Sequence, residues 1–224
     1  MTISSWPSLS PAGAQPRTGN SHALPWNLYE AILFDFDGVL IDSEPVHYSC
    51  WRDILLEYGI TLDWDTYERE GIGVSDRRML AGLCQGKIDP NLLYARYPEK
   101  KAMFSSRIMA TELFTQDTLD LIHSLNEYKL AVVTSSGRAE IEPILEAAGI
   151  RNRFHAAVFG GDVKNLKPAP DPYLLAASQL GVKTALVVED SDAGCQSATA
   201  AGFPYVRVPH QSAMPSLVRA TLSL

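Results

Sequence analysis

Two carboxylates one residue apart, Asp35 and Asp37, follow a short apolar run and precede Gly38. The run, Ala31-Ile32-Leu33-Phe34, reads as a strand buried on both faces, the kind a parallel sheet uses. Ligands of open α/β sheets bind just outside the carboxyl ends of the strands, and the two aspartates fall there. Acids held together at a strand end repel one another unless a positive charge neutralises them. A divalent cation taking hard oxygen ligands, Mg²⁺ first, is the simplest such charge. Taken alone, the pair fits solvated acids at a strand end equally well, so the other motifs decide.

Three further apolar runs lead into polar residues suited to a phosphate or its metal. Residues 130–133 lead into Thr134-Ser135-Ser136-Gly137-Arg138. Hydroxyls and free N–H groups at a strand-to-helix turn cradle oxyanions, although helix capping alone would also explain them. Residues 156–159 lead through two glycines to Lys167, and Pro168 and Pro170 stiffen the chain just beyond it. Residues 185–188 lead into Glu189-Asp190-Ser191-Asp192, a second acidic cluster that needs the same cation. Asp35, Asp37, Thr134, Lys167, Glu189 and Asp190 together supply metal carboxylates, phosphate-binding groups and a proton carrier. That is a phosphoryl-transfer set.

The elements that must position these residues are legible in the hydrophobic spacing. After Ser43, Val46, Cys50, Ile54 and Leu55 recur at helical intervals, with Ser43 as expected N-cap, Pro45 in the first turn and Gly59 closing. Helical spacing continues over 64–70, 76–84 and 90–109 with no alternating strand. A helical block set after one strand suggests a separate small domain. Beyond it, helices at 117–127, 139–148, 172–180, 193–201 and from about Ser212, its expected N-cap, alternate with the strands. The last strand is expected at 205–208. Such alternation describes right-handed βαβ units and a parallel sheet, an α/β fold.

Composition limits the alternatives. The 224 residues suffice for one or two domains, and 46% hydrophobic with 20% charged residues is ordinary for a globular protein. A net charge of −7 disfavours a nucleic-acid partner. Cys50, Cys84 and Cys195 are far apart and form no C-x-x-C pair, so buried free thiols in a reducing, cytoplasmic setting are expected. No run approaches the roughly 18 apolar residues of a membrane span. Residues 1–27 are rich in Ser, Pro, Ala and Gly and read as a disordered tail without a secretory signal. Their Ser-rich, acid-free composition has a faint transit-peptide character, set against a plain tail or a mis-assigned start.

The motifs Asp35-Phe36-Asp37-Gly38-Val39-Leu40, Val133-Thr134-Ser135-Ser136, Lys167-Pro168-Ala169-Pro170-Asp171 and Val188-Glu189-Asp190-Ser191, in this order, resemble the haloacid dehalogenase superfamily. The similarity is to the branch that contains sugar-phosphate phosphatases and β-phosphoglucomutases. It implies a Rossmann-like core, residues 28–44 and 112–224, with an inserted α-helical cap domain at 45–111. It implies Asp35 as nucleophile forming an aspartyl-phosphate, and Asp37 as general acid and then base. Mg²⁺ would be held by Asp35, the Asp37 carbonyl and Asp190, with Glu189 binding directly or through water. Thr134 and Lys167 would hold the phosphoryl oxygens, with Ser135 and Ser136 beside them.

In the expected cap, Asp42-Ser43-Glu44-Pro45-Val46-His47 resembles the hinge and first cap helix, with His47 near the substrate. Gly73-Val74-Ser75-Asp76-Arg77 resembles the specificity loop, making Arg77 a candidate contact, as is Lys101. The mutases' arginine aligns nearer Asp76 than Arg77. Relatives usually place Pro-Gly before the next helix, where this chain has Phe114-Thr115-Gln116-Asp117. The resemblance therefore implies a monomeric Mg²⁺-dependent phosphatase of a small phosphorylated metabolite, a sugar phosphate. A β-phosphoglucomutase is the same-fold alternative. A non-catalytic phosphometabolite-binding protein is the third, and the complete acid set argues against it.

Overall fold

The computed structural model describes residues 28–72, 74–84 and 88–224. The expected tail at 1–27 and Gly73 of the loop motif lie outside the described residues. The apolar runs form five parallel strands: β1 (Ala31–Phe34), β2 (Lys129–Val133), β3 (Ala156–Val158), β4 (Ala185–Glu189) and β5 (Tyr205–Arg207). Their order in the sheet is β3-β2-β1-β4-β5, a Rossmann-like arrangement with β1 at the centre.

Strand periodicity divides the core into two layers. Ile32, Phe34, Leu130 and Val132 face helices α6 (Gln116–Ser124), α7 (Arg138–Ala147) and α10 (Met214–Leu222). Ala31, Leu33, Ala131 and Val133 face α8 (Asp171–Leu180) and α9 (Asp192–Ala201). Successive side chains point to opposite faces, so continuous apolar runs are needed where both faces are covered. Gly181 and Gly202 end α8 and α9 with φ of +65° and +80°, the left-handed conformation that glycine adopts without a Cβ penalty.

Between β1 and α6 lie α1 (Glu44–Glu57), α2 (Trp64–Glu70), α3 (Asp76–Cys84), α4 (Pro90–Tyr94) and α5 (Tyr97–Ile108), an insert that adds no strand among the described residues. It has its own core around Trp51, Ile54, Leu55, Tyr67, Leu80 and Leu93. Val46, Cys50, Phe104 and Ile108 join the main core instead, so the insert sits on the sheet domain through the bases of α1 and α5.

Local chemistry corrects three expectations. The helix expected over 90–109 is two helices. Pro98 has no N–H, and its ring would clash with the carbonyl of Tyr94, so the chain breaks there and Pro98 falls in the first turn of α5. Ser212 does not cap the last helix, which starts at Met214 after the 3₁₀ turn Gln211–Ala213; its hydroxyl pairs with His210 Nδ1 at 2.8 Å. Ser43 occupies the N-cap position of α1, but its hydroxyl makes no capping bond.

The Phe114-Thr115-Gln116-Asp117 departure still makes a working helix start, because Thr115 Oγ1 accepts from the Thr118 N–H at 3.1 Å. Thr115→Ala should lower stability by about 1 kcal/mol in urea denaturation, the usual value of such a cap. An unchanged midpoint would show that packing alone fixes the start of α6.

Candidate active site

Strand register brings the chemistry-bearing residues level. Phe34 lies opposite Val132 on one side and Val188 on the other, so the next residues, Asp35, Val133 and Glu189, come abreast. The Asp35 N–H donates to Val188 O at 2.9 Å and continues the ladder. Lys167 then reaches in from the segment before α8. Its ammonium donates to Asp35 Oδ1 (2.6 Å), Glu189 Oε1 (2.6 Å) and Val133 O (2.9 Å), and its side chain is 6% exposed. Three acceptors use all three ammonium protons.

Glu189 is fully buried, and protein donors occupy both its oxygens. Lys167 and the Tyr173 hydroxyl (2.8 Å) reach Oε1; the N–H groups of Asp190 and Ser191 and the Ser191 hydroxyl, each at 3.0 Å, reach Oε2. Gly194, in the first turn of α9, permits this approach, because a Cβ there would stand 1.7 Å from Glu189 Oε1.

Asp37 turns away from Lys167. Its Oδ1 accepts from the Ser43 hydroxyl at 2.7 Å and its Oδ2 from the Ser136 hydroxyl at 3.2 Å. Ser43 thus gives up capping to hold this carboxylate. Gly38 next to it has φ +77°, and a Cβ would lie 2.2 Å from Asp190 Oδ2, so backbone torsion and space both demand glycine. Thr134 is buried at the end of β2, and its Oγ1 accepts from the Ser136 N–H at 3.0 Å. That leaves the hydroxyl proton for an outside acceptor.

Electrostatics follow from burial and spacing. Burial and the Glu189 charge raise Asp35, with Lys167 pulling the other way. For Lys167, burial opposes the charge, yet Asp35 and Glu189 outweigh it and keep the ammonium. Glu189 is lowered, because Lys167 and its other donors overcome burial. Asp37 is raised by burial, against the pull of Ser43 and Ser136. Asp190 is raised to about 6 by burial and by Glu189.

Asp35, Glu189 and Asp190 each offer an oxygen within 4.8 Å of the others, a cluster that could hold a metal ion. The donors fit a hard divalent cation. With Glu189 already saturated, the oxygens open to a ligand are those of Asp35 and Asp190.

The haloacid dehalogenase-like hydrolase family model matches residues 32–208. The chain belongs to this family. It is 34% identical over 188 residues to the fructose-1-phosphate phosphatase of Escherichia coli, covering 80% of this chain and 96% of that protein. It is 33% identical to a phosphorylated-carbohydrates phosphatase of Thermotoga maritima, covering 78% and 82%. The solved β-phosphoglucomutase of Clostridium difficile superposes with a TM-score of 0.62 at 25% identity, covering 80% of this chain and 84% of that one.

In this haloacid dehalogenase-like hydrolase a cavity of about 600 Å³ lies between the strand ends and the helical insert. The core side contributes Asp37, Ser135, Ser136 and Glu140; the insert contributes Glu44, His47, Asp76, Arg77, Lys100 and Lys101. Lys101 faces the cavity but forms an ion pair with Glu140 of α7, tying insert to core. Arg77 is exposed and lies over the Tyr94 ring at 4.7 Å.

The buried cation of the insert is Lys100, which the sequence reading passed over. Its ammonium lies 2.7 Å from His47 Nδ1 and 3.4 Å from Asp76 Oδ2, while Trp51 Nε1 donates to Asp76 Oδ1 at 2.8 Å. A signal was present. Lys100, Phe104 and Ile108 recur every four residues on the buried stripe of α5, and a lysine in such a stripe must meet a partner. Tyr67 and Tyr173, whose hydroxyls hold Glu44 (2.7 Å) and Glu189, gave no such signal, because buried tyrosines are common core residues.

His47 stacks on Phe104 with ring centroids 4.1 Å apart, and burial, then the Lys100 charge, pushes it down to about 3. The unfolded chain takes up this proton near pH 6.5 and the folded chain resists it. The stability that neutral His47 contributes is therefore complete above pH 6.5 and lost as pH falls toward 3. His47→Gln keeps an acceptor for Lys100 but cannot titrate. Between pH 7 and pH 5 the wild type should lose about 1–2 kcal/mol more than this variant in urea denaturation. Equal losses would mean that His47 titrates freely.

Proposed function

We propose that this protein is a Mg²⁺-dependent phosphatase that hydrolyses a sugar monophosphate through an aspartyl-phosphate, with the helical insert acting as a cap. The observation that carries the reading is the Lys167 ammonium shared between Asp35 and Glu189 at 2.6 Å each. It leaves Asp35 Oδ2 without a hydrogen bond among the described residues, two positions before Asp37, which lines the cavity.

In the first half-reaction an Asp35 oxygen attacks phosphorus, and the bond from phosphorus to the sugar oxygen breaks. Asp37, held by Ser43 and Ser136 and raised by burial, gives its proton to the departing alkoxide. In the second, the Asp37 carboxylate takes a proton from water as that water attacks phosphorus, and Asp35 leaves as a free carboxylate. The Thr134 hydroxyl holds a transferring oxygen, and Lys167, its three protons given to Asp35, Glu189 and Val133, limits by its charge the repulsion between Asp35 and the phosphate. Asp35, Asp190 and the Asp37 carbonyl would hold Mg²⁺, with Glu189 fixing the Asp190 backbone; bound, the ion supplies positive charge to the phosphoryl group. Over the cavity the cap excludes bulk water.

Mutase chemistry is the second reading, favoured by the likeness to a β-phosphoglucomutase and by His47 beside the cavity. The charges of the insert favour hydrolysis. A mutase must hold a bisphosphate, and hence a second phosphate away from Asp35. Here Lys100 is committed to Asp76 and His47, and Lys101 to Glu140, which leaves exposed Arg77, over the Tyr94 ring, as the cavity's one Lys or Arg without an ion pair among the described residues. A neutral sugar suits such a wall better than a second dianion, and the related proteins named for fructose 1-phosphate and phosphorylated carbohydrates support that substrate class.

Phosphorus NMR with Mg²⁺ tests both readings, first on fructose 1-phosphate and then on β-glucose 1-phosphate with a trace of the 1,6-bisphosphate. Free phosphate is expected. Glucose 6-phosphate growing without matching phosphate would make the protein a mutase. Asp35→Asn should lower turnover by about 10³-fold or more, and chelation of Mg²⁺ should silence the wild type reversibly. Full activity in Asp35→Asn would remove Asp35 as nucleophile.

A further inference from the structure

The chain crosses between sheet and insert twice, before α1 and before α6, and both crossings meet one side chain outside the cavity. Gln211 lies in the 3₁₀ turn between β5 and α10. Its amide nitrogen donates to Leu40 O at 2.7 Å and to Leu113 O at 3.0 Å. An amide NH₂ carries two protons, and both are used.

Each carbonyl belongs to a segment that touches the site. Around Leu40 the chain is tightly turned: the N–H groups of Leu40 and Ile41 donate to Phe36 O at 2.9 and 3.2 Å, and that of Gly38 to Ile41 O at 2.8 Å. Three residues on, Ser43 presents its hydroxyl to Asp37. Leu113 precedes Phe114, whose ring meets Phe36 edge-on at 6.4 Å, and Phe36 stands between the two aspartates. Neither carbonyl is part of a helix or strand, so the Gln211 amide is the polar link between the crossings, beside the apolar contact of Phe36 with Phe114.

We infer that Gln211 is a positioning residue that fixes the separation of the two crossings, so that the insert meets the core in one register and Ser43 is delivered to Asp37. The inference rests on the cap reading above. Without the amide, only the apolar contact of Phe36 with Phe114 relates the two backbones, which sets distance less sharply than paired hydrogen bonds, and the first change is in how Ser43 holds the proton carrier. A substrate whose leaving oxygen needs that proton then suffers more than one that departs without it. A sugar alkoxide needs the proton; p-nitrophenolate, a stabilised anion, does not.

Gln211→Met keeps the length and removes both donors; Gln211→Asn keeps an amide too short to span both carbonyls. In either variant, hydrogen exchange by mass spectrometry should speed up about tenfold in peptides covering 38–44 and 109–116, with the β1 and β2 peptides unchanged. The kcat/KM for fructose 1-phosphate should fall about tenfold, and that for p-nitrophenyl phosphate by less than about twofold. Unchanged exchange at either crossing would overturn the inference. So would an equal loss on both substrates accompanied by a lower Tm, which marks a merely structural role. If the wild type hydrolyses neither ester, the phosphatase reading fails, and the exchange comparison still decides the role of Gln211.

Discussion

A single ammonium, that of Lys167, stands between two buried carboxylates at the end of the sheet, and the rest of the site is arranged around it. Asp35 and Glu189 are buried and Asp190 half-buried beside them, so water screens the three carboxylates poorly. Like charges at that spacing would protonate or push the strand ends apart without a counter-charge. Lys167 supplies one, at hydrogen-bond distance from two of the three, while five donors fix Glu189. The remaining excess of negative charge is the physical reason the cluster suits a divalent cation. Asp35 keeps one oxygen without a hydrogen bond among the described residues, which is why the proposed function makes it the nucleophile.

The neighbouring carboxylate, Asp37, is governed differently. Two hydroxyls hold it, one from the core (Ser136) and one from the last residue of the connection into α1 (Ser43). Its environment therefore depends on where Ser43 sits, whereas that of Asp35 depends on the strand ends and on Lys167. In the proposed mechanism this division separates attack on phosphorus, at Asp35, from movement of a proton, at Asp37. The helical insert follows the same economy of charge. Its buried cation, Lys100, is balanced by Asp76 and lies against the neutral His47 ring.

Much of the fold was legible in the chain because the relevant signals are local. Continuous apolar runs gave four of the five strands to within a residue, the edge strand β5 carries Arg207 within its run, and the glycines after α8 and α9 marked their ends. The boundaries that were misread depend on chemistry beyond the repeat pattern. Pro98 splits a helix that periodicity alone would have continued. Ser43 has the right residue type and place for a cap, yet a carboxylate competes successfully for its hydroxyl.

The ordered motifs by themselves determined the family, the parallel sheet and the set of acids, hydroxyl and lysine at its edge, because those follow from residue type and from strand ends. Tertiary structure alone decided which groups meet. Lys167 is 132 residues from Asp35 in sequence, and nothing in the spacing says that its ammonium also reaches Glu189. Lys100 rather than Lys101 is the buried cation because one residue on a helix rotates the side chain by about 100°, and only packing selects the inward face. The Gln211 contacts with Leu40 and Leu113 join three distant segments through backbone carbonyls, which carry no residue signature at all.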